Sequence, residues 1–184
     1  MEVISFILEI KNKDKRMTIM TMIFRIATLN DLPIIVDIYN STIPSRMVTA
    51  DIAPVSVEDR LNWFHEHHPE KRPLWVVEYE GDICGWVSLQ SFYGRPAYDA
   101  TAEISIYIHE NYRGIGLGKK ILSKAIEESL KLEIDTLIAF IFGHNEPSIR
   151  LFSSLGFEKW GHLPEVANLD GVKRNLVILG KKVK

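Results

Sequence analysis

The chain has 184 residues, 46% hydrophobic and 25% charged, the make-up of an ordinary globular protein with enough apolar matter for a single core. Its 22 basic and 24 acidic residues leave a net charge of -2, which excludes a global attraction to nucleic acid or to an anionic membrane. One cysteine, Cys84, excludes an internal disulfide and a multi-thiolate metal site, and makes a cytoplasmic location the default expectation.

Val3 to Leu8 is a short apolar run, too short to span a bilayer and without the basic leader or small-residue cleavage site of a signal peptide. Lys11 to Arg16 is mostly charged, and Met17, Met20 and Met22 follow. Residues 1–21 are therefore expected to be an extension outside the core, with 22–184 as one domain. An added strand that pairs with a neighbour is the alternative.

Ile23 to Ala27 reads as a strand. Asn30 or Asp31 caps the helix that follows, with Pro33 in its first turn and Leu32, Ile35, Val36 and Tyr39 as its apolar stripe. Thr42 to Pro54 is polar and proline-punctuated, hence loop. Val57 to His67 carries Leu61 and Phe64 on one helical face. Leu74 to Tyr79 and Ile83 to Leu89 read as strands joined through Gly81-Asp82, and Tyr93 to Asp99 as loop. From Thr101 to Ile108, apolar Ala102, Ile104, Ile106 and Ile108 alternate with Thr101, Glu103, Ser105 and Tyr107. Period two sends the first set to a buried face and the second to a polar one.

A glycine-rich turn then leads into an amphipathic helix, Gly116 to Leu132. Leu117, Ile121, Leu122, Ala125 and Ile126 are expected to face inward, and Lys119, Lys120, Lys124, Glu127 and Glu128 outward. The apolar run Thr136 to Phe142 predicts a strand covered on both faces. Asn145 caps a last helix with Pro147 in its first turn and Gly156 at its end, before strands near Phe157 to Leu163 and Lys173 to Leu179. The class is α/β with a mixed sheet.

The turn reads Arg113-Gly114-Ile115-Gly116-Leu117-Gly118. At a helix start, free N–H groups and the helix dipole favour an anion, glycines let a phosphate approach the backbone, and Arg113 adds a charged donor. The spacing G-x-G-x-G is neither the dinucleotide fingerprint nor a Walker loop. A turn that serves geometry alone is the bland alternative. Arg113 and the long helix behind the loop tilt toward pyrophosphate.

Arg113-x-x-Gly116-x-Gly118 resembles the R/Q-x-x-G-x-G/A signature of the GNAT N-acetyltransferase superfamily. Asn145-Glu146-Pro147-Ser148-Ile149-Arg150-Leu151-Phe152, with Leu155-Gly156-Phe157, is similar to the second signature of that superfamily. The Ile38-Tyr39-Asn40 helix, the Ala102-to-Ile108 strand, Pro164-Glu165-Val166 and Asp170-Gly171 resemble its phosphinothricin and methionine sulfoximine N-acetyltransferase branch. The likeness runs from about Met22 to the C-terminus.

The resemblance implies a mostly antiparallel sheet flanked by helices, with a parallel pair of strands splayed at a slot for acetyl-CoA. Pantetheine would pair with Ile106, Tyr107 and Ile108, pyrophosphate would sit on Arg113, Gly114, Ile115, Gly116, Leu117 and Gly118, and Asn145 and Ser148 would flank the arm. It implies direct attack of an amine on the thioester, with no metal. Glu103 would be the base, and with Arg95 and Tyr98 would bind a small amino acid or analogue; Arg46 and Thr49 are further candidates for the pocket. A sheet-face carboxylate held by an arginine is the structural alternative for Glu103. Phe152 departs from the Tyr or His found there in relatives, so proton supply to the leaving thiolate falls to Tyr107 or water.

His65, His67 and His68 read as a solvated helix end, and Trp63, Trp75, Trp86 and Trp160 as packing residues. A homodimer is a family-level expectation, with neither membrane nor nucleic acid as partner. Two other functions remain: acetylation of a protein N-terminus or lysine, and acyl-CoA sensing without turnover, to which Phe152 lends some support.

Overall fold

The computed structural model describes residues 4–11 and 17–184, with side chains from Thr21 onward. The elements run β1 (Ile4–Lys11), β2 (Met17–Ile26), α1 (Leu32–Thr42), α2 (Val57–His65), β3 (Leu74–Tyr79), β4 (Asp82–Ser91) and β5 (Thr101–Ile108). They continue through α3 (Leu117–Leu130), β6 (Thr136–Phe142), α4 (Glu146–Ser153), β7 (Glu158–Leu169) and β8 (Val172–Lys182). One eight-stranded sheet has the order β1-β2-β3-β4-β5-β6-β8-β7, and β5-β6 is its parallel pair. The mixed, mostly antiparallel sheet with helices on both faces is the architecture expected from the sequence.

Helices α3 and α4 cover one face. Leu117, Ile121, Leu122, Ala125 and Phe152 pack there on Phe24, Val77, Val87, Leu89, Ala102, Ile104, Leu137 and Leu179. Each fully buried aliphatic side chain contributes roughly 1.5–3 kcal/mol, so the stripe of α3 anchors that layer. Helices α1 and α2 cover the other face, where Leu32, Ile35, Ile38 and Tyr39 meet Leu74, Val76 and Trp86. The entry to α1 is clamped. Asp31 accepts from Arg25 Nη1 at 2.8 Å and Nη2 at 2.9 Å, and from the Thr28 N–H at 2.7 Å. Although burial opposes ionisation, the guanidinium and the Thr28 donors hold the Asp31 carboxyl down at about 2. Helix α2 starts on a capping box, in which Ser56 accepts from the Asp59 N–H and Asp59 from the Ser56 N–H.

Several elements differ from their sequence expectations. Strand β2 begins at Met17 rather than Ile23 and pairs in antiparallel register with β1, from Ile4↔Phe24 to Lys11↔Met17. The β3-β4 hairpin turns on Glu80-Gly81, both at positive φ (56° and 95°), one residue before the expected pair, because a two-residue turn that follows strand twist needs both centres left-handed. Glu128 is buried instead of outward. It accepts ion pairs from Lys124 at 2.8 Å and Lys131 at 2.9 Å, which offset its desolvation. Strands β7 and β8 outrun their expected limits and meet at Asp170-Gly171, both at positive φ (52° and 86°).

Candidate active site

Strands β5 and β6 pair only through Thr101↔Thr136, Ala102↔Leu137 and Glu103↔Ile138. Beyond Glu103 they diverge, and that edge of β5 opens onto a cleft. The divergence explains why Ile106 and Ile108 are half-buried although Ala102 and Ile104, on the same face, are buried. The cleft, about 290 Å³, is lined by Ile106, Tyr107, Ile108, Arg113, Asn145 and Ser148, with Met47, Val48, Leu151 and Phe152. Five cofactor candidates of the sequence reading outside the loop (Ile106, Tyr107, Ile108, Asn145 and Ser148) thus meet Arg113 in one place.

The glycine turn closes one end of the cleft. Gly116 sits at φ 87° at the start of α3, a conformation costly for any residue with a Cβ. A Cβ on Gly118 would lie 3.2 Å from Leu151 Cδ2, so α3 and α4 meet closely there. Among the described residues, no backbone acceptor engages the N–H groups of Gly114, Ile115 or Gly116, and the first-turn N–H groups of Leu117 and Gly118 lack intrahelical partners by helix geometry. Arg113 Nε donates to the Ile108 carbonyl at 2.8 Å, which leaves its other nitrogens exposed at the loop. Asn145 caps α4 by accepting from the Ser148 N–H at 3.2 Å and donates to the Met47 carbonyl at 2.9 Å. Its amide therefore holds the wall of the cleft, pinning residues 47 and 48 beside it.

A second cavity, about 190 Å³, lies on the opposite face of β5 under α1 and α2. Three cross-strand pairs form its floor: Trp86↔Tyr107, Ser88↔Ser105 and Gln90↔Glu103. Ile35, Val36 and Tyr39 of α1 and Arg60 and Trp63 of α2 form its walls. Trp86 stacks on Tyr107 with centroids 4.3 Å apart. A smaller opening between the splayed strands shares Ser105 and Tyr107 with the cavity and Ile106, Asn145 and Phe152 with the cleft, and so lies between the two.

Glu103 is half-buried on this floor and has no ion-pair or hydrogen-bond partner among the described residues. No arginine among the described residues clamps it as a structural carboxylate. Burial alone raises its pKa above the ordinary carboxylate value. The Tyr107 hydroxyl is likewise pushed up by burial, a hydrogen bond to Thr49 working against the shift.

Other candidates fall elsewhere. Arg95 and Tyr98 lie outside the cavity lining. Arg95 is exposed where a short turn begins, and Tyr98 packs against Phe92 and Tyr93 in an exposed aromatic cluster. Gly94, at φ 59°, takes the left-handed backbone in the loop just before Arg95. Arg46 pairs with Asp170 at 2.6 Å, and Thr49 is buried against the Tyr39 hydroxyl. Trp63 stands in the wall of the cavity and Trp86 in its floor, in addition to packing; Arg60, Ser88 and Gln90, which no motif marks, line it with them. The alternation of Trp86, Ser88 and Gln90 against Val87 and Leu89 was a visible signal of a second, polar face. His67 Nδ1 bonds the Trp63 carbonyl at 2.8 Å, and no group of three His, Cys, Asp or Glu suited to a metal occurs among the described residues. No helix there is long and apolar enough to cross a membrane.

Comparison with known proteins agrees with this geometry. Residues 35–157 match the Acetyltransferase (GNAT) family. The chain is 52% identical over 163 residues to "Putative phosphinothricin acetyltransferase YwnH" of Bacillus subtilis, covering 88% of this chain and 99% of that one. It is 31% identical to the L-methionine sulfoximine/L-methionine sulfone acetyltransferase of Salmonella typhimurium over 79% of this chain and 85% of that one. A GNAT superfamily phosphinothricin acetyltransferase from Sinorhizobium meliloti, solved in complex with AcCoA, superposes with a TM-score of 0.80 at 28% identity over 86% of each chain. The splayed β5-β6 pair, the glycine turn at the head of α3 and these relatives lead to one conclusion: the chain belongs to the GNAT acetyltransferase family, as an acetyltransferase of the phosphinothricin/methionine sulfoximine type.

Proposed function

We propose that the protein transfers the acetyl group of acetyl-CoA to the amino group of a small amino acid or analogue, of the phosphinothricin, methionine sulfoximine or methionine sulfone kind, by direct attack on the thioester. The observation that carries this reading is Glu103: a half-buried carboxylate without a partner among the described residues, on the floor of a small cavity that shares Ser105 and Tyr107 with the opening beside the cleft. The volume, about 190 Å³, suits a small acceptor better than a peptide segment.

In this reading the cleft holds acetyl-CoA. The N–H groups of Gly114 to Gly118 and the Arg113 guanidinium receive its pyrophosphate, the open edge of β5 at Ile106 to Ile108 pairs with the pantetheine amides, and Asn145 and Ser148 flank the arm. The acceptor enters from the other face of β5. Glu103 takes the proton of its ammonium, directly or through a water, and frees the nitrogen lone pair. Nitrogen bonds to the carbonyl carbon, a β5 N–H stabilises the oxyanion, the nitrogen gives up its second proton to water, and the C–S bond breaks with its electron pair on sulfur.

Phe152 has no proton to give. A thiol is fairly acidic, with a pKa of roughly 8–9, so the thiolate leaves without first being protonated. Tyr107, held above an ordinary phenol, serves it as a hydrogen-bond donor, and water supplies the proton. No metal takes part. We further propose a homodimer in the cytoplasm, with neither nucleic acid nor membrane as partner, and a catalytic domain at 22–184.

Thiol release from acetyl-CoA across a panel of amines tests the reading. Turnover on methionine sulfone or phosphinothricin is expected. Turnover confined to peptides with a free N-terminus or lysine would replace it with a protein acetyltransferase, and tight CoA binding without thiol release from any amine would replace it with an acyl-CoA sensor.

A further inference from the structure

Two charged side chains line the acceptor cavity, Glu103 on the floor and Arg60 on the wall. Arg60 follows the capping box of α2, and Trp63 stands one turn further on the same face, so both point toward β4 and β5. The guanidinium lies over the Tyr39 ring at 4.4 Å from its centroid and 5.7 Å from that of Trp63. One of its nitrogens, Nη2, donates to Asp51 Oδ2 at 3.0 Å; Asp51 also accepts from the Tyr39 hydroxyl. Asp51 and the two rings thus hold the guanidinium flat and in place. Among the described residues no acceptor engages Nε or Nη1, and either of them, with the second hydrogen of Nη2, completes a two-donor edge for a bidentate anion.

The pocket therefore carries one acid and one fixed guanidinium in a small, aromatic-walled space. An α-amino acid carries the complementary pair, an ammonium beside a carboxylate. We propose that Arg60 binds the α-carboxylate of the acceptor and so turns its amine toward Glu103, with Ser88 and Gln90 left to meet a polar side chain. This rests on the acceptor reading of the cavity given above. Arg95, exposed and outside the lining, has no such position.

The test compares acetyl transfer to L-methionine sulfone with transfer to its carboxamide, which keeps the amine and side chain but lacks the anion. With the wild-type protein, kcat/KM for the free acid is expected to exceed that for the amide by about 10- to 100-fold, the range of a lost charge-assisted hydrogen bond. Arg60→Gln should remove most of that preference by raising KM for the acid alone, and Arg60→Lys should restore part of it. KM for acetyl-CoA should stay put in both variants, which also reports that they fold. An amide used as well as the acid by the wild type would overturn the assignment while leaving the acetyltransferase reading standing. So would an Arg60→Gln loss equal for acid and amide, the mark of a merely structural arginine under Tyr39. If the wild type turns over neither compound nor any other amino acid, the acceptor reading itself fails, and this assignment with it.

Discussion

A carboxylate that is desolvated without compensation costs stability, and Glu103 is such a group. Its folded pKa lies above the unfolded value, so the folded state favours the protonated form. Stability is therefore greatest below the unfolded pKa and is lost as pH rises through the raised folded value. Catalysis needs the opposite state, since only the ionised carboxylate accepts a proton. Two outcomes follow for Glu103→Gln. Near neutral pH kcat should fall by about 100-fold or more, the usual worth of a positioned base, with KM for acetyl-CoA unchanged. Thermal melting at the same pH should rise, because the neutral amide escapes the desolvation cost. Unchanged turnover would remove Glu103 from the mechanism, and a lower melting temperature would mean that the carboxylate has a stabilising partner. In the wild type, the acid limb of kcat/KM should lie above the ordinary glutamate range, near 4.3, and should vanish in the variant.

At the level of elements, the turn between β5 and α3 separates two requirements that share one loop. Gly116, at φ 87°, is a backbone requirement; Arg113, exposed and tied to the Ile108 carbonyl, is a charge requirement. Gly116→Ala should lower stability by about 1–2 kcal/mol, read by denaturant unfolding, since it forces a Cβ into the left-handed region. Arg113→Ala should leave stability nearly unchanged and raise KM for acetyl-CoA by roughly 10-fold or more, with a smaller effect on kcat. If Arg113→Ala instead unfolds the protein and leaves KM alone, the loop serves geometry and the anion site lies elsewhere. Both residues were legible in the sequence because local chemistry decides them. Arg60 was not, because its partners Tyr39, Asp51 and Trp63 come together only when α1, α2 and the intervening loop pack.

At the scale of the whole molecule, the sheet is continuous from β1 to β7, but the site draws on β4, β5, β6, α1, α2, α4 and the turn before α3. Strand β1 pairs with β2 alone, at the far edge from the β5-β6 splay. Deletion of residues 2–16 should therefore leave kcat and both KM values unchanged, which fits the proposal of a catalytic domain at 22–184. Loss of activity on truncation would make the extension part of the working protein.

By itself the sequence determined what local patterns and spacing can carry. These are the alternating strand with Glu103, the amphipathic α3 behind an anion-ready turn, the Asn145 cap, and the family, through motifs whose residues stand at set distances along the chain. It misjudged Glu128, whose burial depends on lysines one turn away on either side, and the hairpin centre at Glu80-Gly81, which strand twist selects. Only the tertiary structure decided that the expected splay of β5 and β6 begins after Glu103, that no arginine among the described residues holds Glu103, and that Arg60 rather than Arg95 lines the cavity. The reason is physical: a period-two pattern says which residues share a face, but which helix covers that face, and which charge it brings, is settled by long-range packing.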